Sequence, residues 1–77
     1  MSEIELPAGD DPAATLAAAV ALRRLADRLE REGVDGAAAL GWSWAQIAQA
    51  LGVTRQAAHK RHADRLRRRG LPTKETR

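Results

Sequence analysis

The chain of 77 residues is predicted to be an all-α protein. Alanine is abundant, β-branched residues are few, and phenylalanine and tyrosine are absent, which favours helix over strand. Leucines recur at intervals of three and four residues, the period of an amphipathic helix. Glycines and capping residues divide the chain into helical segments. We therefore expect a long N-terminal helix followed by a tri-helical bundle, with no β-wing.

The first predicted helix covers about residues 12–32. Asp11 and Pro12 form a helix start, because the carboxylate accepts from free backbone N–H groups and proline fits the first helical position. An apolar stripe is expected along this helix at Leu16, Val20, Leu22, Leu25 and Leu29. The stripe either folds back on the chain's own bundle or pairs with a second copy, and we favour a homodimer.

The stretch that follows residue 32 is open to two interpretations. Gly33 could cap the long helix, with Asp35 starting a short helix through Leu40. Alternatively, the long helix continues through Gly33 and Gly36, each at a cost of about 1 kcal/mol relative to alanine. Spacing alone does not choose between them, and we favour a break or kink.

A capping box marks the start of the next helix. The Ser43 hydroxyl is expected to accept from the backbone of Gln46, whose side chain accepts in return from the backbone of Ser43. Trp42 and Ile47 flank this box as a hydrophobic staple, so the helix begins at Trp44. Both tryptophans are interpreted as core and staple residues.

A tight turn separates this helix from the last one. Gly52 supplies the left-handed conformation that ends the helix, and Thr54 caps the next. The last helix is expected to reach about residue 69, where Gly70 and Pro72 stop it. We predict one domain at residues 11–70, between a flexible acidic arm at residues 1–10 and a disordered tail at residues 71–77.

Composition argues against several classes of protein. The absence of cysteine excludes disulfides and cysteine-based zinc sites. His59 and His62 are three residues apart, but they lack a third ligand and have cationic neighbours, so no metal or other cofactor is predicted. No nucleophile accompanies a base, so an enzyme is not expected. No stretch is apolar enough to span a membrane, and the acidic N-terminus is unlike a signal peptide, so we expect a cytoplasmic protein.

Charge is divided unevenly between the two halves of the chain. Residues 1–40 contain four arginines and eight acids, a net charge of −4. Residues 41–77 contain nine basic residues and two acids, a net charge of +7. The second half is therefore suited to a polyanion, and the acidic half is expected to face away from it or to contact a protein.

The segment from Trp44 to Ala63 resembles the helix-turn-helix of bacterial transcription regulators. Ala48, Gly52, Val53 and Ala58 occupy the constrained positions of that pattern. The W-S-W-A-Q-I-A-Q-A-L-G-V start and the R-Q-A-A-H-K run are similar to small actinobacterial regulators. Ala58 stands where the family often has valine or isoleucine, which implies that His62 shares the inner face.

The resemblance implies that the last helix enters the major groove of DNA. The expected base contacts are Arg55, Gln56, His59 and Lys60. The expected phosphate contacts are Ser43, Thr54, Arg61, Arg65, Arg67 and Arg68. A transcription regulator of this kind would act as a homodimer on inverted repeats in the nucleoid. Two alternatives stay open: a protein-interaction adaptor or antiactivator that uses the long helix, and a nonspecific nucleoid-associated DNA binder.

Overall fold

The computed structural model describes residues 9–71, and in that range the chain forms three α-helices and no strand. Helix α1 covers Pro12–Ala39, α2 covers Trp44–Leu51 and α3 covers Arg55–Arg68. The all-α prediction is therefore confirmed. The arm at residues 1–8 and the tail at residues 72–77, where a wing would have to begin, lie outside the described residues.

Helix α1 begins as predicted but is longer than predicted. The Asp11 carboxylate accepts from the backbone N–H of Ala14 at 3.1 Å, and Pro12 occupies the first turn. The helix then continues for 28 residues, about 42 Å, to Ala39. The expected break in this stretch is therefore wrong, because both glycines are accommodated inside the helix.

Packing explains why the helix does not stop at its glycines. Val34, Ala37 and Ala38 are buried against the other two helices, and burial of apolar side chains offsets the low helix propensity of glycine. The last turns of α1 are thus the first helix of the bundle. The predicted arrangement, a long helix followed by a separate tri-helical bundle, is corrected accordingly to three helices within residues 9–71.

Each helix is followed by a glycine with positive φ: Gly41 (85°), Gly52 (72°) and Gly70 (70°). After α2, the backbone N–H of Val53 donates to the carbonyl of Ala48 at 3.1 Å, and the N–H of the Gly52 cap is directed at the same carbonyl. The N–H of Leu71 donates to Leu66 in the same way at 2.9 Å. Leu71 packs against the core, so it belongs to the folded domain and not to the predicted tail.

The core lies where α2 and α3 meet the end of α1. Its buried residues on the two shorter helices are Trp44, Ile47, Ala48, Ala58, His62, Ala63 and Leu66. Ala48 and Ala58 are small, which allows α2 and α3 to approach closely across the turn at Gly52. The expected position of His62 beside Ala58 on the inner face is confirmed by the burial of both residues, and Leu66 is buried with them.

The first part of α1 extends beyond this core. No residue from Pro12 to Leu29 is buried. Leu16 and Leu25 are nine residues apart in one continuous helix, which places them on opposite sides because nine residues are two and a half turns. The same holds for Val20 and Leu29. The predicted single stripe therefore divides: Leu22, Leu25 and Leu29 share one face, and Leu16 and Val20 lie together on another.

Candidate nucleic-acid interface

The four predicted base-contacting residues lie together on the surface of α3. Arg55, Gln56, His59 and Lys60 are all exposed, and together they line one shallow depression. Their spacing of one and four residues keeps them on adjoining positions of the first two turns. We call these four residues the α3 face. It carries cationic donors, an amide and an imidazole.

The α3 face is held in place by a ring contact with α2. The rings of Trp44 and His59 have centroids 5.0 Å apart and are tilted by 59°. Trp44 is only 1% exposed, so it anchors the start of α2 against α3 and restricts the position of the His59 ring. The interpretation of Trp44 as a core residue is confirmed. Trp42 is 37% exposed and is not part of the core.

Both predicted caps are formed, and they use the hydroxyls of two predicted phosphate contacts. Ser43 Oγ accepts from the Gln46 N–H at 3.2 Å, and Gln46 Oε1 accepts from the Ser43 N–H at 2.8 Å. Thr54 Oγ1 accepts from the Ala57 N–H at 3.1 Å. Each hydroxyl keeps its own proton for donation, so capping does not prevent contact with an anion.

Two cations further along the chain, Arg65 and Arg69, form ion pairs with an acid of α1. Two nitrogens of Arg65 donate to one carboxylate oxygen of Asp35, Nε at 3.2 Å and a terminal nitrogen at 2.7 Å. Arg69 donates to the other oxygen of Asp35 at 2.6 Å. Arg65 is half-buried in this contact, and its role as a phosphate contact stays a prediction. The acid holds the guanidinium against the bundle.

A second group of ion pairs lies one to two turns earlier. His62 is 4% exposed, and its Nε2 lies 2.7 Å from a carboxylate oxygen of Glu30. Its Nδ1 lies 2.7 Å from a terminal nitrogen of Arg65, so a neutral ring can donate to Glu30 and accept from Arg65. Arg61 also reaches Glu30, at 3.3 Å, while half of its side chain stays exposed. The hydrogen bond from His62, and secondarily that from Arg61, lowers the pKa of Glu30.

The remaining predicted phosphate contacts lie at the end of α3. Arg67 is exposed and forms an ion pair with Asp64 of the same helix. Arg68 is exposed in the last turn. Lys60 is also exposed, on the α3 face. The cationic surface that the described residues leave accessible is therefore narrower than the count of arginines in the sequence indicates.

Glu30 and Asp35 are the site residues that the sequence analysis missed. The acidic half is expected from the sequence to face away from a polyanion or to contact a protein, and that expectation includes no contact within the chain, whereas these two acids contact α3 directly. A signal was present, because His62, Arg65 and Arg69 recur at intervals of three and four residues and so share a face of α3. A basic face of this kind, opposite acids on a neighbouring helix, is typical of an internal contact.

No group of three or more histidine, cysteine, aspartate or glutamate side chains within residues 9–71 could hold a metal ion. No helix here combines the length and the apolar character needed to cross a membrane. Comparison of the chain with models of known families, with curated proteins and with solved structures found no match.

Proposed function

We propose that this chain is a sequence-specific double-stranded DNA-binding protein in which α2 and α3 form a helix-turn-helix and α3 enters the major groove. Three residues, Gly52 to Thr54, connect the two helices. Small side chains at their contact and a buried tryptophan make the pair rigid. The major groove of B-DNA is about 12 Å wide and accepts one α-helix, so a rigid pair with an exposed second helix is a suitable reader.

The observation that carries this proposal is the exposure of the α3 face at the start of its helix. An arginine such as Arg55 can donate two hydrogen bonds to guanine, and Gln56 can pair with both groups of an adenine edge. His59 and Lys60 lie one turn further along the same surface. This set of side chains can distinguish bases, which charge alone cannot do.

Phosphate contacts are proposed on both sides of the α3 face. Ser43 and Thr54 stand at helix N-termini, where backbone N–H groups favour an anion. Arg67 and Arg68 supply exposed charge at the other end of α3, and the exposed half of Arg61 lies between. Arg65 contributes least, because it is bound to Asp35.

A selection from random duplexes at moderate salt tests the proposal. We expect enrichment of one sequence, arranged as an inverted repeat with half-sites about 10 bp apart, or a multiple of it, if the chain acts as a dimeric regulator. Equal recovery of all sequences would contradict base reading and would support a nonspecific DNA binder.

A substitution in the α3 face tests which residues read the sequence. Arg55→Ala should weaken binding to the selected duplex by about 5-fold to 150-fold, the equivalent of 1–3 kcal/mol for a bidentate contact. The matched control is Arg24→Ala, which removes the same charge from an exposed position on α1. If both variants lose the same affinity, the effect is electrostatic and Arg55 is not a base reader.

A further inference from the structure

An apolar groove opens between the end of α1 and α2. It has a volume of about 460 Å³, and α1 lines it with Leu29, Gly33, Gly36 and Leu40. Trp42 and residues of α2 form its other wall. Leu29 is 57% exposed and Leu40 is 80% exposed, so large apolar side chains stand in solvent at the rim.

The two glycines in this groove have no explanation within the single chain. Both lie in regular helix, so neither needs a positive φ. A Cβ atom added at Gly33 or at Gly36 would meet nothing within 4 Å. Each nevertheless costs about 1 kcal/mol of helix stability relative to alanine. Glycines on an exposed helix surface allow another helix to approach closely.

The groove is continuous with the face of α1 that carries Leu22, Leu25 and Leu29, which we call the leucine face. Counting from Leu29, positions four, seven and eleven residues away in either direction fall on one side of a helix with 3.6 residues per turn. Towards the N-terminus these positions are Leu25, Leu22 and Ala18, and towards the C-terminus they are Gly33, Gly36 and Leu40. On the N-terminal side of Leu29 the two nearer residues are large and the outermost is small. On the C-terminal side the two nearer residues are small and the outermost is large.

We infer that a second copy of the chain occupies this groove, with the two α1 helices antiparallel and Leu29 at the two-fold axis. In this register Leu25 of each copy lies opposite Gly33 of the other, and Leu22 lies opposite Gly36. Ala18 lies opposite Leu40. Every large side chain except Leu29 then meets a small residue, so the surface is complementary to itself, as a two-fold interface requires.

Two charged side chains lie beside the leucine face. Arg28 and Glu32 are exposed and lie one turn apart on the same flank of α1. In the antiparallel pair, Arg28 of one copy lies within about 3 Å, along the helix axis, of the level of Glu32 of the other. The two-fold axis creates this pair twice, and it also places the two Arg28 side chains equally close in level, so the charges of this flank do not select a register.

The size of the contact indicates how strong the dimer is. The outermost paired positions, Ala18 and Leu40, are 22 residues apart, about 33 Å of helix. We estimate a buried surface of about 1,000 to 1,300 Å² in total, close to the lower limit for a specific interface. The dimer is therefore expected to dissociate in the micromolar range. This inference does not depend on DNA binding, because the interface and the α3 face share no residue.

Sedimentation equilibrium without DNA tests the inference, with samples up to tens of micromolar. The wild-type chain should form dimers, and Gly36→Leu should raise the dimer Kd by about tenfold or more, because it fills the space for Leu22 of the other copy. Leu16→Ala, on the other side of α1, is the control and should leave the Kd unchanged. A monomeric wild-type chain, or a dimer that Gly36→Leu does not weaken, overturns the inference.

A size exchange between opposite positions tests the register. The double variant Leu22→Ala with Gly36→Leu restores a large residue opposite a small one, so it should recover dimerisation that Gly36→Leu loses. Leu25→Ala with Gly36→Leu should not recover it, because Leu25 lies opposite Gly33. Circular dichroism confirms that each variant is helical. Equal recovery by both double variants, or by neither, overturns the antiparallel register.

Discussion

Glu30 illustrates how single residues connect α1 to α3. Its carboxylate accepts from the buried His62 and from Arg61, and these contacts favour its charged form. The pKa of Glu30 is consequently lower in the folded chain than its ordinary value of 4.5. A lowered pKa stabilises the fold above the ordinary value, and this stabilisation is lost as the pH falls through the lower folded-state value.

Replacement of Glu30 should therefore change the acid sensitivity of the fold. We expect Glu30→Gln to lower the melting temperature at neutral pH and to reduce the fall in melting temperature between about pH 5 and pH 3. Thermal unfolding at a series of pH values, followed by circular dichroism, measures this. Asp27→Asn, at an exposed position of α1, is the control. An unchanged pH profile in Glu30→Gln would show that its ion pairs do not stabilise the fold.

The sequence predicted the exposed side chains of the site better than the side chains that form ion pairs between α1 and α3. Arg55, Gln56, His59 and Lys60 follow from the position of the Thr54 cap, which is a local feature. The pairing of Arg65 with Asp35 joins residues 30 positions apart. Such a contact depends on how α1 and α3 pack, and neither residue type nor helical spacing fixes that packing.

At the scale of elements, helix boundaries followed local chemistry wherever a cap or a left-handed glycine was present. The capping box at Ser43 and the turn at Gly52 were both predicted and are both observed. The end of α1 was not predicted. Glycine is the residue type that often ends a helix, but Gly33 and Gly36 both lie inside this one. Burial of neighbouring residues decided that stretch, and burial is not a local property.

The same substitution at two glycines should have opposite effects on stability. Gly52 has φ of 72°, which an alanine adopts at a cost of roughly 1–2 kcal/mol. Gly36 is helical and open, so Gly36→Ala should stabilise the chain by up to about 1 kcal/mol. Urea unfolding at concentrations below the dimer Kd measures both. Destabilisation by Gly36→Ala, or none by Gly52→Ala, would contradict this view of the two positions.

The whole molecule is elongated for its size. Its radius of gyration is 15.9 Å, whereas a compact domain of this length has about 11 Å. The half of α1 that lies beyond the core accounts for this shape. The molecule thus presents two separate surfaces, the α3 face and the leucine face of α1. A protein that binds DNA as a dimer requires this separation of its two contacts.

Salt should weaken DNA binding less than the number of basic residues indicates. Ion pairs with Glu30 and Asp35 occupy part of the charge of α3, so we expect about four phosphate contacts per chain. The logarithm of the association constant should then fall with the logarithm of salt concentration with a slope of about −4 per bound chain. Fluorescence anisotropy at several salt concentrations measures this slope. A slope near zero would exclude phosphate contact.

Nuclear magnetic resonance titration tests the central claim, that the α3 face contacts DNA, most directly. The isotopically labelled chain is titrated with the selected duplex and, separately, with a scrambled duplex of the same composition. The largest shifts of backbone amides are expected from Thr54 to Lys60 and only with the selected duplex, with smaller shifts at the start of α2. Shifts confined to α1, or equal shifts with both duplexes, would contradict sequence reading by this helix.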